Sequence, residues 1–220
     1  LMEIKENSEN FLNKKVERCV ITIPAYFNNN QRVATKRAAE IAGLSVIKLI
    51  NEPSAAALAY KQDNEKGNNI LVADLGGGTF DLSLVNSEDE DSFFVHASYG
   101  DPQLGGDDFT HNLYKLLLKK IKEANSNYKS IPSIDALIRE KAEEVKKTLS
   151  FETKTEIYFP ILPTDQEASF SFEGTITREE FNIESKPLFK KIESIVIEFL
   201  NFDQVSEKKI DKVILVGGSS

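Results

Sequence analysis

The sequence predicts an α/β fold built on mixed sheets, and three observations carry that prediction. Apolar strands alternate with amphipathic helices through the first section, a three-glycine turn joins two strands at Gly76 to Gly78, and long helical stripes follow from Gly105 onward. Leu1 to Phe11 reads as a helix, and Val16 to Ile23 as an apolar strand. Asn28 to Asn30 offer N-caps for a helix over 31–42, whose positions Val33, Ala34, Ala38, Ile41 and Ala42 share one face before Gly43 ends it. A strand over 46–50 follows. Two apolar strands joined by a helix are most economically parallel neighbours in a right-handed crossover. Ligand chemistry in such sheets gathers beyond the strand C-termini, where Asn51-Glu52-Pro53-Ser54 sits. Pro53 suits the first turn of a helix over 54–62. Glu52 either caps that helix against its dipole or points a carboxylate into a cleft. The polar stretch 61–69, with Gly67, marks a linker.

The richest segment is Ile70-Leu-Val-Ala-Asp74-Leu-Gly76-Gly77-Gly78-Thr79-Phe-Asp81-Leu-Ser-Leu-Val85. Ile70 to Ala73 form a buried apolar run, and Phe80, Leu82 and Leu84 alternate with Asp81 and Ser83 as in a half-buried strand. Glycines allow positive φ and close approach, so the N–H groups of the turn can converge on an anion, with the Thr79 hydroxyl as a further donor. Asp74 and Asp81 supply hard oxygens suited to Mg²⁺ and its waters. The alternative is an ordinary hairpin with two solvated aspartates. The Walker pattern needs a lysine and a hydroxyl residue opening a helix, and the dinucleotide fingerprint also needs a helix after its glycines; neither is present.

After an acidic stretch over 87–92, read as a solvated turn, Gly105-Gly106-Asp107-Asp108 opens the helical part. Phe109, Leu113, Leu116, Leu117 and Ile121 make one stripe, and Ile138, Ala142, Val145 and Leu149 another. Strands are expected over 155–161 and 169–172, a capping box at Thr177 and Glu180, and a helix after Pro187 bearing Leu188, Ile192, Ile195 and Phe199. A last strand, 212–216, runs into Gly217-Gly218-Ser219-Ser220, a second glycine turn at a strand end.

Composition excludes several classes. A net charge of −8 argues against a dedicated nucleic-acid binder, and the pairs Lys119-Lys120, Lys146-Lys147 and Lys190-Lys191 read as solvated helix faces. Cys19 cannot form an internal disulfide and reads as a buried, inert thiol. Two histidines, His96 and His111, build neither a histidine-rich metal site nor a triad. With no apolar stretch of about 20 residues and no signal-peptide pattern, no membrane is expected and the cytoplasm is the default compartment, an organelle staying open because the chain reads as a piece of a longer protein.

The runs Val20-Ile-Thr-Ile-Pro-Ala-Tyr-Phe-Asn28, Ile50-Asn-Glu-Pro-Ser-Ala-Ala-Ala-Leu-Ala-Tyr60, Asp74 to Asp81, Leu104-Gly-Gly-Asp-Asp-Phe109 and Val213-Ile-Leu-Val-Gly-Gly-Ser219 resemble, in order and spacing, the DnaK-type 70-kilodalton heat-shock chaperones. The resemblance spans the chain, strongest over 16–110 and 210–220. It implies the actin-like ATPase fold, with ribonuclease H-like mixed sheets and flanking helices in two lobes around a nucleotide cleft. The chain would supply the second half of the first lobe (1–68), the base of the second lobe (69–104 and 186–220) and its upper helix-and-strand part (105–185).

The resemblance also implies roles. Asp74 and Asp81 would hold Mg²⁺ through water, K⁺ being a further candidate ion; Gly76, Gly77, Gly78 and Thr79 would wrap the outer phosphates of ATP or ADP; Glu52 would organise metal, water and lobe contacts. Glu143, Lys146 and Ser150, at helical spacings of three and four, match the adenosine-gripping set, beside Lys147. Gly217, Gly218 and Ser219 would close the pocket. Pro24 and Arg32 match positions that relay nucleotide state between domains. Implied partners are a J-domain co-chaperone, a nucleotide-exchange factor, unfolded polypeptide clients held by a domain outside this chain, and, for divergent members, the ribosome.

Departures from the family pattern are Asn29 for aspartate, Lys147 for an arginine that stacks on adenine, Ser54 and Ser220 for threonines, and Pro187 inside a segment the family builds as a helix, where proline should break or kink it. These resemble divergent ribosome-associated members, some without hydrolysis. The expectation is an ATP-driven chaperone. A non-hydrolysing ribosome-associated scaffold and a small-molecule kinase of the same fold are the alternatives. This chain alone, without the family's first phosphate loop and upstream lysine, is expected to be inactive.

Overall fold

A computed structural model describes residues 1–60, 67–89, 92–166 and 168–220. The elements run α1 (Met2–Leu12), β1 (Arg18–Ile23), α2 (Asn29–Ile41), β2 (Ser45–Asn51), α3 (Glu52–Ala59), β3 (Asn69–Leu75), β4 (Phe80–Asp89), β5 (Ser92–Asp101), α4 (Gly106–Ala124), α5 (Pro132–Leu149), β6 (Lys154–Pro163), β7 (Ser169–Thr177), α6 (Arg178–Leu200), α7 (Asp203–Ser206) and β8 (Lys212–Val216). This is a mixed α/β architecture, as the alternation of apolar strands and amphipathic helices predicts.

β1 and β2 pair in parallel through the α2 crossover, as their apolar character and intervening helix predict. The N-terminus of α2 is fixed by a reciprocal cap: the Asn28 side chain accepts from Gln31 N, and Gln31 accepts from Asn28 N. The central sheet has the order β5-β4-β3-β8, with β3, β4 and β5 antiparallel and β8 parallel to β3. Its two faces are both covered. Ile70, Val72, Val85 and Ile214 pack with Ala57 of α3, while Leu71, Leu82 and Leu84 pack with Ile195, Phe199 and Val205. A strand buried on both faces needs the continuous apolar run that β3 carries. The third layer is the antiparallel pair β6–β7 under α4 and α5, joined by Leu113, Leu117, Ile121, Ile138, Val145, Ile157 and Phe159.

Several expectations are corrected. The 87–92 stretch is strand at both ends rather than turn throughout: β4 continues to Asp89 and β5 begins at Ser92, and residues 90–91 lie outside the described part. Ser87 is buried because Gly67 N donates to its carbonyl at 2.6 Å and its own N–H reaches Asn68 O at 3.1 Å. The helix expected over 54–62 is α3, beginning at Glu52 and ending at Ala59, since Pro53 is tolerated in a first helical turn. Residues 61–66 of the expected linker lie outside the described residues.

The apolar face assigned to α2 is largely uncovered: Val33 is 57% and Ile41 68% exposed, and of its members only Ala42 is buried, with Ala39, outside the assigned set, buried as well. The two-stranded β1–β2 sheet is too narrow to shelter the whole stripe. Cys19 is half-buried rather than buried, for the same reason. Pro187 does not break its helix, since α6 runs unbroken from Arg178 to Leu200. The carbonyl that proline deprives of its helical donor belongs to Ile183, an exposed residue, and the next carbonyl, Glu184 O, accepts from Asn112 Nδ2 at 3.2 Å. The lysine pairs are not simply solvated either: Lys120, Lys146 and Lys191 each hold a carboxylate, on Glu180, Glu143 and Asp101.

Candidate functional site: a carboxylate cleft joined to an aromatic-walled cavity

Asp74 and Asp81 stand directly opposite each other in the β3–β4 register. Cross-strand neighbours of like charge repel, and Glu52 at the mouth of α3 joins them: its carboxyl is pushed above the ordinary range by burial and then by the charges of Asp74 and Asp81. Burial raises Asp74. Burial also raises Asp81, opposed by a hydrogen bond from the Thr79 hydroxyl and reinforced by Asp74. Glu52 lines the same cleft as Asp74 and Asp81, and the N-cap position of α3 belongs to Asn51, so the cleft orientation of Glu52 prevails over a capping role. Pro24, Ala25, Tyr26, Ser83 and Ser98 complete this cleft.

Ser83 corrects the half-buried reading of β4. It is buried, with its Oγ 3.0 Å from Ser98 Oγ, so the polar face of the strand is the floor of the cleft rather than a solvent surface. Gly100, paired with Asp81, is needed here because a Cβ would lie 2.2 Å from Phe80 O and 2.8 Å from Asp81 Oδ1. Tyr26 also faces the acids: burial, then Asp81 and Glu52, raise its phenol. Arg32 braces this wall, its Nε donating to Phe27 O at 3.0 Å and its Nη2 to Asn51 Oδ1 at 3.1 Å, beside Glu52.

The Gly76–Thr79 turn closes with Gly76 N donating to Thr79 O at 3.0 Å. None of its glycines has the left-handed φ that the sequence suggested; positive φ among the described glycines belongs to Gly43, Gly67 and Gly217. Nor is the turn crowded. A Cβ on Gly78 would meet nothing within 4 Å, and one on Gly77 only an Asp107 carboxylate oxygen at 3.9 Å. Gly105 is different: its Cβ would lie 2.4 Å from Gly77 O. Gly77 and Gly78 are thus glycines the chain itself does not require, which points to close approach by something outside it.

The second glycine turn wraps the end of β3, Ser219 N donating to Leu75 O at 3.0 Å. Gly217, at φ +93°, sits where a Cβ would be 2.2 Å from Leu75 O and 2.6 Å from Asp74 Oδ1. Gly218 and Ser219 continue into a cavity of about 360 Å³ that also receives Glu143, Lys146, Lys147 and Ser150, with Phe109, Phe181 and Phe189 in its walls. All the residues expected to grip adenosine therefore meet in one cavity, and the 217–219 turn borders both it and Asp74.

Burial acts to raise Glu143, but hydrogen bonds from Lys146 and Thr110, with the Lys146 charge and a bond from Lys147, outweigh it and hold the carboxyl below its ordinary range. Lys147 borders the cavity on its solvent side, its side chain 71% exposed and its Nζ 3.4 Å from Glu143 Oε1.

The chemistry of the donor set fits a hydrated divalent cation. Among the described residues, no group of three or more His, Cys, Asp or Glu side chains is close enough to hold a metal directly. Three carboxylates on one cleft still create a strong cation preference that a water shell can bridge. Gly100, Tyr26, Asn51 and Thr110 were not singled out from the sequence. Tyr26 lay inside a recognised run, but nothing in its spacing marked a side chain facing acids.

The family model described as "Hsp70 protein" matches residues 1–220. The chain is 40% identical, over its whole length, to a protein named "Chaperone protein dnaK" from Guillardia theta and to "Chaperone protein DnaK" from Metamycoplasma hominis, spanning 35% and 37% of those proteins. It thus covers little more than a third of either. Among the described residues no helix is long and apolar enough to cross a membrane. The two glycine turns, the facing aspartates and the uninterrupted family match lead to one assignment: the chain belongs to the Hsp70 family, within its actin-like ATPase fold.

Proposed function

We propose that this chain forms part of the nucleotide-binding domain of an ATP-hydrolysing chaperone. The observation that carries the proposal is the open Gly77–Gly78 turn set between Asp74 and Asp81. Backbone N–H groups of residues 77–79 donate to the outer phosphates, as oriented amides do for anions, while the Gly76 N–H closes the turn on Thr79 O. Asp74 and Asp81 would hold Mg²⁺ through its waters, and the ion supplies neutralisation of phosphate charge when bound. Glu52, with its raised proton affinity, is suited to orient a water and take its proton as the water oxygen bonds to the terminal phosphorus and the bond to the ADP oxygen breaks. The base and ribose lie in the cavity between Lys147, Ser150 and Gly218.

Nucleotide state would be passed on through the wall that Pro24 and Arg32 build next to Glu52, biasing a client-binding domain outside this chain. Family resemblance supports J-domain, exchange-factor and unfolded-client partners, and K⁺ as a further ion. Single-turnover ATP hydrolysis by the full-length protein tests the proposal. Asp74→Ala is expected to lower the rate by at least about 100-fold, the scale of losing a main electrostatic stabiliser. An unchanged rate would favour the non-hydrolysing scaffold.

A further inference from the structure

The cavity between α5 and α6 has a near end, against the phosphate turn, and a far end. At the near end Lys146 Nζ donates to Gly106 O at 3.1 Å, and Gly106 N donates to Gly76 O at 2.9 Å. Ile192 of α6 and Leu75 of β3 join one core cluster there. Ser150 comes about one helical turn after Lys146, and the first turn of α6 closes the far end beside it. Arg178 Nε donates to Leu149 O at 2.8 Å, and Arg178 N donates to Thr153 O at 2.9 Å. An arginine holding the last carbonyl of a helix caps it, so Arg178 fixes α6 against the end of α5 that carries Ser150.

Asn182 follows Arg178 by one helical turn and shares its face of α6. Both line the cavity with Ser150, and both also border the open groove outside it, so they form its far rim. Among the described residues no hydrogen bond or ion pair engages the Asn182 side chain. The rim residues differ in what they offer. Arg178 only donates, and Ser150 Oγ gives its proton to Lys146 O at 3.3 Å, which leaves it lone pairs. The Asn182 amide has both an acceptor oxygen and N–H donors. Adenine sets a 6-amino donor beside a ring-nitrogen acceptor, the pattern that an asparagine amide matches with two bonds.

We infer that Asn182 is a specificity-determining residue of the nucleotide site: a ligand whose phosphates lie on the 76–79 turn reaches the far rim with the edge of its base, where Asn182 Oδ1 accepts from the 6-amino group. The inference rests on the nucleotide reading of the site. It predicts that the side chain matters only to a base that carries that amino group, and that an acceptor without N–H donors serves adenine but rejects a 6-oxo base, whose oxygen needs a donor.

Calorimetry on the full-length protein with Mg²⁺ tests it, comparing ATP, purine riboside triphosphate, which lacks the 6-amino group, and inosine triphosphate on wild type, Asn182→Ala and Asn182→Asp. Asn182→Ala is expected to weaken ATP about five- to tenfold, the upper part of what a neutral hydrogen bond contributes. Purine riboside triphosphate should change by less than about twofold, which makes the comparison a cycle between side chain and amino group. Asn182→Asp should hold ATP within about twofold of wild type and weaken inosine triphosphate at least about fivefold, since a carboxylate only accepts. Alanine is the better helix former, so the Asn182→Ala protein is expected to fold. The inference is overturned if Asn182→Ala binds ATP as wild type does, if it weakens both triphosphates in proportion, or if Asn182→Asp treats ATP and inosine triphosphate alike. A wild-type protein that binds none of the three overturns the nucleotide reading, and the inference with it.

Discussion

Two aspartates facing each other across a hairpin, with a glutamate closing on them, repel in the absence of a cation, and that repulsion has a measurable pH signature. Asp74, Asp81 and Glu52 are all raised, so the folded protein binds protons more tightly than the unfolded chain at these positions. Their cost is fully present above the raised folded values and is relieved as pH falls through them. Asp81→Asn should therefore stabilise the ligand-free protein near pH 7 by about 0.2–1 kcal/mol, the range of a like-charged cross-strand pair. The gain should shrink as pH drops toward the carboxylate range. Chemical denaturation at several pH values checks this, and a gain that grows on acidification would refute the sign. Glu143 runs the other way. Its carboxyl is lowered overall, so the stability it contributes is lost as pH falls through its folded value. At this scale the sequence made the acids legible because they flank glycines. It could not show the Tyr26 phenol or the Thr110 hydroxyl, because their partners Asp81 and Glu143 are brought to them by tertiary packing.

At the scale of elements, the glycines of the site divide into two groups. Gly105 and Gly217 are required by backbone a little over 2 Å from where a Cβ would lie, and Gly217 also by its left-handed φ. Gly217→Ala should cost about 1–3 kcal/mol in thermal or denaturant unfolding, the usual scale of backbone strain. Pro187 is the converse case. It sits inside α6, where an interior proline costs about 3 kcal/mol against alanine. Pro187→Ala should stabilise the protein by up to about that amount in denaturant unfolding; a neutral or destabilising result would contradict this. Strong periodicity made α4 and α5 readable from their stripes. β5 was overlooked although Phe93, Val95 and Ala97 alternate along it, because the acidic stretch before it mimics a loop until its pairing with β4 is known. The α2 face failed for a related reason: period alone cannot tell whether anything lies opposite.

Across the whole molecule, stability is unevenly distributed. The three core clusters draw almost entirely on residues 70–214, with Ala57 and Ala56 of α3 the contribution from the first section. β1, β2 and α2 carry exposed Val20, Val33, Ile41 and Ile47, and a two-stranded sheet is marginal by itself. Amide exchange on this chain alone should show β1 and β2 opening well before β3 and β4; equal protection would contradict this distribution. The same unevenness sets what the sequence could reveal. β3 was readable from its continuous apolar run, β4 from its alternation and β8 from its short apolar run before a glycine turn, whereas the convergence of α5, the 217–219 turn and the α4 N-terminus on one cavity depends on contacts spanning more than a hundred residues.

The account's central claim is that the Gly76–Thr79 turn is kept open for phosphate. It is tested most directly by calorimetric titration of MgATP into the full-length Gly78→Ala variant. Because a Cβ there meets nothing within 4 Å, unfolding free energy should stay within about 0.5 kcal/mol of wild type, while ATP affinity falls at least about tenfold as the methyl group crowds the phosphate-facing amides. A Gly78→Ala protein that folds and binds MgATP as tightly as wild type would contradict the claim.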